Sequence, residues 1–95
     1  MSETIDDLTI TYEEGGIEVV KELDKHVLTK GAWSTVMYLY QEWNARKEEY
    51  GETKVSIRRY QKQSGRFQQK SKFNISNKKQ ALQMVARLQQ WFPEE

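Results

Sequence analysis

The sequence predicts an α+β domain, an antiparallel β-meander of four to five strands followed by one C-terminal α-helix, and three observations carry that prediction. Apolar residues recur at helical spacing just ahead of Pro93; two alternating segments flank Ser64-Gly65; and Ile17 to Trp43 is rich in Val, Leu and aromatic residues around a single Lys30-Gly31 turn. A chain of 95 residues holds material for one core, because single cores form in units of roughly 100 to 150 residues. Residues 1–15 read as an acidic N-terminal extension with room for a short strand, and residues 16–95 as a single ββββα domain.

Taken in chain order, Leu8 to Tyr12 offers the short strand, and Gly15-Gly16 breaks the chain before Ile17. Ile17 to Thr29 reads as a strand. The next segment, Trp33 to Trp43, fits two periods. Trp33, Val36, Met37, Tyr40 and Trp43 suit a helix, whereas its β-branched and aromatic content favours a strand buried on both faces. Asn44 to Glu52, charged and containing Gly51, reads as a polar connection. Lys54 to Lys62 and Arg66 to Ile75 then alternate about Ser64-Gly65 as a β-hairpin. With Val55, Ile57, Phe67, Phe73 and Ile75 facing inward, the outward set is Lys54, Ser56, Arg58, Tyr60, Lys62, Arg66, Gln68, Lys70, Lys72 and Asn74. Arg59, Gln69 and Ser71 share the parity of the inward set, which calls for a bulge. Finally, Ala81, Leu82, Val85, Leu88 and Phe92 define a helix from about Lys78 to Trp91. Ser76 or Asn77 caps it, Asn77 and Gln80 resemble a capping box, and Pro93 stops it.

Charge is distributed very unevenly. Positions 53–93 contain ten Lys and Arg and no acid, whereas positions 1–52 carry twelve acids against five bases; the net charge of +1 conceals the division. Clustered cations reward phosphates and flat rings reward bases, so an undiluted basic stretch interleaved with Tyr60, Phe67 and Phe73 points to a polyanion surface. Solvated strand faces usually mix signs. The competing explanation is internal: the acidic first half pairs with the basic second half across the sheet and cancels it.

Two stretches and the helix, about half of the chain, resemble the positive cofactor four type of transcriptional coactivator and its small bacterial relatives. The first stretch is Lys21-Glu22-Leu23-Asp24-Lys25 followed, after a turn, by the aromatic strand ending Tyr40-Gln41-Glu42-Trp43. The second is Lys72-Phe73-Asn74-Ile75-Ser76 running directly into the helix. The resemblance implies a homodimer with packed helices and a basic, aromatic strand surface for single-stranded DNA, sometimes also RNA. The residues it implicates here are Lys21, Lys25, Trp33, Tyr38, Tyr40, Arg58 and Arg59. The hairpin around Ser64-Gly65 is longer than that pattern, and the acidic N-terminal extension is additional to it.

These readings together give the expected function: non-enzymatic, sequence-tolerant binding of single-stranded nucleic acid, DNA more than RNA, in transcription, replication or repair. The expected site residues are Lys54, Arg58, Arg59, Tyr60, Lys62, Arg66, Lys70, Lys72, Tyr38 and Tyr40. Cations neutralise phosphates while Tyr60 and one of Tyr38 or Tyr40, expected exposed, stack on bases; Phe73, Trp91 and Phe92 are expected in the core. The alternative is an interaction module whose basic sheet binds an acidic protein partner. A sheet suits splayed single strands better than duplex, and no recognition helix or basic zipper for a major groove is evident.

Other functions lack parts. His26 is the sole imidazole and there is no cysteine, so acid–base and nucleophilic constellations are incomplete, and no cofactor or metal is expected. The pairs Asp6-Asp7, Glu13-Glu14 and Glu48-Glu49 lack calcium-loop spacing, and Gly15-Gly16 lacks the Lys and Ser/Thr of a phosphate loop. The start of the chain has no signal-peptide pattern, and the apolar run from Val36 to Tyr40 is far shorter than the roughly 20 residues a spanning helix needs. A soluble, cytoplasmic, cysteine-free protein without membrane partners is the expectation. Hydrophobic content of 37% leaves such a small domain marginal alone, which also favours a homodimer.

Overall fold

A computed structural model describes residues 4–94; residues 1–3, at the start of the expected extension, and residue 95 lie outside the described residues. A short 3₁₀ turn, Ile5–Asp7, precedes strands β1 (Tyr12–Glu14), β2 (Ile17–Thr29), β3 (Trp33–Asn44), β4 (Glu49–Tyr50), β5 (Lys54–Gln63) and β6 (Arg66–Ile75), and helix α1 (Lys78–Trp91) closes the chain. All pairings are antiparallel, in the order β1-β2-β3-β5-β6, with β4 folded back on the end of β3, and the sheet curls as a half-barrel. The α+β meander with a single terminal helix is therefore the architecture.

Turn chemistry sets the hairpins. Between β5 and β6 the loop is Ser64-Gly65 alone, with φ of 52° and 78°, and Gly15-Gly16 joins β1 to β2 with φ of 60° and 83°. Two successive left-handed residues match the twist of an antiparallel pair, and glycine adopts them without steric cost. Trp33–Asn44 is strand, as its β-branched and aromatic content favours. The short N-terminal strand begins at Tyr12, later than its aliphatic residues suggest, because Ile5, Leu8 and Ile10 are spent on packing.

Bulges decide which side chains share a face. In the β5–β6 ladder Arg59 pairs with Ser71 and Tyr60 with Gln69, leaving Lys70 unpaired. Side chains alternate with period two, so the extra residue inverts the phase of β6. Phe67 and Gln69 consequently join Tyr60 and Arg58 on one face, while Ser71, Phe73 and Ile75 join Arg59, Ile57 and Val55 on the other. This corrects the expected inward set, which placed Phe67 and Phe73 together. Leu23 and Leu28 are unpaired in the same way in β2, keeping Lys25 and Val27 beside Tyr38 and Val36.

The core lies on one face only. Val36, Tyr38, Tyr40, Tyr60 and Phe67 are covered by Ile5, Leu8 and Ile10, with Val20 and Val27 at the margin. The segment expected as an extension is thus the second layer of the core. The opposite face, with Met37, Leu39, Val55, Ile57 and Phe73, has no such layer: Leu39 and Phe73 are 36% and 50% exposed, and Ile75 is its one buried residue, where β6 runs into α1. A Cα radius of gyration of 15.3 Å, against about 12 Å for a typical domain of this length, reflects that open side.

Helix α1 has the expected bounds. Asn77 caps it, its side chain accepting from the Gln80 amide at 2.8 Å, while Gln80 Oε1 accepts from the Ser76 amide at 3.1 Å. The box closes one residue upstream of the usual position. None of the helix residues is buried. Trp91 and Phe92, 65% and 75% exposed, are not core, because the described residues supply no surface to receive the helix's apolar stripe.

Candidate nucleic-acid interface

The cations of the basic stretch divide between the two faces and the hairpin end. Lys54, Arg58 and Lys62 recur every four residues along β5 on the tyrosine-bearing face, and Lys72 faces Arg58 across the β5–β6 ladder. Arg59 projects from the opposite face, with its guanidinium 4.6 Å from the Trp33 ring centroid. Arg66 pairs with Gln63 beside the turn, and Lys70 is the bulge residue. The structure therefore brings Lys54, Arg58, Lys62 and Lys72 to one side of the sheet and separates Arg59 from them.

Arg58 is held in place by neutral partners. Its Nε donates to Ser56 Oγ at 3.1 Å and its Nη1 to Gln69 Oε1 at 3.0 Å, while Ser56 Oγ donates to Asn74 Oδ1 at 2.7 Å. A chain of amides and hydroxyls orients the guanidinium without cancelling its charge, so it remains available to an outside anion. Lys62 Nζ lies 5.5 Å from the Phe67 ring centroid, and Lys70 Nζ approaches Gln63 and Gln68 at 3.4 and 3.5 Å.

Among the described residues the one ion pair joins Lys54 Nζ to Glu42 Oε1 at 2.7 Å. That hydrogen bond holds the Lys54 ammonium above its ordinary pKa. The contact is partly solvated and contributes at most about 1 kcal/mol. The acidic first half of the chain does not neutralise the other cations of the basic segment through ion pairs within the described residues.

The tyrosines differ from expectation. Tyr38 is fully buried, and Tyr40 and Tyr60 are 6% and 5% exposed. Tyr38 and Tyr60 share a hydroxyl–hydroxyl hydrogen bond of 3.0 Å. Burial, reinforced by that bond, pushes the Tyr38 phenol far above the ordinary tyrosine range, and burial followed by the Glu42 charge raises Tyr40. The expected open stacking platform of Tyr38, Tyr40 and Tyr60 is instead a covered one. Its sequence alternates Ser34, Val36, Tyr38 and Tyr40 with no charge, a pattern that suits a covered face as well as an open one.

Three further residues implicated by resemblance have distinct settings. Lys21 Nζ sits 5.1 Å from the Tyr50 ring centroid, and Trp33 is 43% exposed. Lys25 is committed to the N-terminal segment. Its ammonium donates to the carbonyls of Ile5, Asp6 and Leu8 at 2.8, 3.0 and 2.7 Å. Beside it, Glu22 Oε1 accepts from Thr9 Oγ1 at 2.7 Å and from the Ile10 amide at 3.3 Å, and its own amide donates to Thr11 Oγ1 at 3.2 Å. The roles of Lys25, Glu22 and the three aliphatics were not read from the sequence. The signal was Ile5, Leu8 and Ile10 recurring within an acidic stretch that burial alone explains.

Among the described residues no group of three or more His, Cys, Asp or Glu could hold a metal ion, and no helix is long and apolar enough to cross a membrane. Comparison with protein-family models, curated proteins and solved structures finds no match.

Proposed function

We propose that the protein binds single-stranded nucleic acid, DNA more than RNA, without sequence preference or catalysis, in transcription, replication or repair. The observation that carries this reading is an acid-free cationic surface on the tyrosine-bearing face of β5 and β6, where Arg58, Lys62 and Lys72 have no acidic partner among the described residues. Arg58 is oriented there by neutral hydrogen-bond partners. Such a surface has lost none of its attraction for phosphates to internal pairing, and releasing counterions from a bound strand supplies the affinity. Lys54 extends it along β5, while Arg59 with the half-exposed Trp33 offers a second, smaller cationic and aromatic surface on the opposite face, with Arg66 on that side beside the turn and the Lys70 ammonium near Gln63 and Gln68. The resemblance to the positive cofactor four type of coactivator favours the same function.

A homodimer belongs to this reading. Phe73 and the helix residues Leu82, Val85 and Leu88 are all about half exposed, and a second copy laid against them would remove apolar surface that a single chain leaves in water. The covered state of Tyr38, Tyr40 and Tyr60 favours a second reading, an acidic protein segment held by charge alone.

Fluorescence anisotropy of a labelled mixed-sequence single-stranded oligonucleotide tests the choice. Engaging about five phosphates gives a log–log affinity slope against salt of about −3.5, which Arg58→Ala combined with Lys72→Ala should flatten. Weak binding that ignores salt would refute the nucleic-acid reading and leave the acidic protein.

A further inference from the structure

The layer over the tyrosines is attached unlike the rest of the fold. Residues 5–11 make no ladder with the sheet: the β1–β2 register begins at Tyr12, and the backbone bonds of this segment, Asp7 to Thr4 and Leu8 to Ile5, stay within it. Apart from Ile5, Leu8 and Ile10 in the core, it is held by two residues of β2. Lys25 gathers three of its carbonyls, and Glu22 binds Thr9 and the Ile10 amide through its carboxylate and Thr11 through its own amide. A segment with no strand pairing opens without breaking the sheet, and such attachments belong to the low-stability end of a fold.

What it covers matches what the cationic surface lacks. Tyr38, Tyr40, Tyr60 and Phe67 lie beneath it, on the same sheet face as Lys54, Arg58, Lys62 and Lys72. Base stacking contributes about 1 to 3 kcal/mol per base to single-strand binding, and these rings sit among the residues suited to hold the phosphates. The segment also carries the exposed acids Asp6 and Asp7, which repel a polyanion drawn to that face. Opening it therefore uncovers rings, removes the charges of Asp6 and Asp7, and frees the Lys25 ammonium together with the Glu22 carboxylate, a net loss of two negative charges from that face.

From this geometry we infer that residues 4–11 form a displaceable cover over an aromatic platform, and that single-stranded nucleic acid binds fully only by driving the cover off. This rests on the nucleic-acid reading above. The cover holds affinity down in the closed state, since a ligand that needs the open state sees its apparent affinity reduced by the fraction open.

Amide hydrogen exchange of the full chain, with and without a saturating 15-nucleotide oligothymidine at low salt, is the test. The expected result is faster exchange at residues 5–11 on binding, with β3 and β5 still protected. A companion variant, Leu8→Ser, should bind the same oligonucleotide roughly three- to tenfold more tightly. Should that variant fail to fold, the exchange result on the unaltered chain decides alone. Binding that leaves residues 5–11 as protected as before, or more so, overturns the cover while the cationic surface stands. Binding by Leu8→Ser alone supports the cover. Failure of both chains to bind overturns the nucleic-acid reading and the cover with it.

Discussion

Across one and the same backbone, Val36, Tyr38, Tyr40 and Tyr60 are sealed under the N-terminal segment while Met37, Leu39, Ile57 and Phe73 keep partial contact with water. Both rows are apolar enough to be buried, and alternation alone favours neither. What separates them is the supply of a second layer. Three aliphatic residues from outside the meander close the first face, and nothing among the described residues closes the second, since helix α1 leaves the end of β6 with its apolar stripe uncovered. Intrachain packing thus completes half of a core, and the other half is a surface.

The sharpest way to break this comparison is a pair of truncations. Tyr38→Ala empties a fully enclosed site and should cost about 3 to 5 kcal/mol of stability in urea titration. Phe73→Ala, directed at the open face, should cost about 1 kcal/mol or less at low protein concentration. Equal losses would mean that the open face is covered in solution, and a loss for Phe73→Ala that grows with protein concentration would identify a second copy as the cover.

Alkaline pH probes the sealed tyrosines, with the Lys54 ammonium, held up by Glu42, adding a loss of the same sign. The Tyr38 and Tyr40 phenols are raised in the folded chain, so above about pH 10 the unfolded chain loses protons that the folded chain retains. Their contribution to stability is complete below pH 10 and falls as pH rises toward the folded values, by about 1.4 kcal/mol per pH unit for each group. Urea midpoints from pH 8 to 11.5 should be level and then drop; Tyr38→Phe should soften the drop. A midpoint that stays level to pH 11.5 would mean that these phenols already meet water.

The smallest effect concerns the helix. Asn77→Ala removes the side-chain acceptor for the Gln80 amide and should cost about 1 kcal/mol, seen as fraying by exchange of the first-turn amides. Because α1 meets mainly the end of β6 and has no buried residue, that loss should leave the sealed face's exchange unchanged.

How much of this was legible in the sequence follows from which forces are local. The hairpin at Ser64-Gly65, the bounds of α1 and the span of β2 depend on turn geometry, capping and alternation within a few residues, and each reads correctly. The fate of Tyr38, Tyr40 and Tyr60 depends on residues 5–10, some 30 to 50 positions upstream, and no local pattern records that encounter. Sequence reasoning puts Phe73, Trp91 and Phe92 inside, because aromatic residues at helical or strand spacing ordinarily meet a partner layer. Here the described residues provide no such layer. For the candidate site, the cations were legible as a group, but their division between faces was not, since one unpaired residue controls it.

That residue, Lys70, is one more than the β5–β6 ladder needs. As long as it stands outside the ladder, Phe67 can serve the tyrosines and Phe73 the opposite side within one continuous strand. Delete it, and the ladder should close into one uninterrupted register, from Lys62 with Phe67 to Ile57 with Phe73, in which both rings keep their faces. Loss of Lys70 should therefore be tolerated, whereas loss of a second residue between Phe67 and Phe73 should carry one of the rings through the sheet.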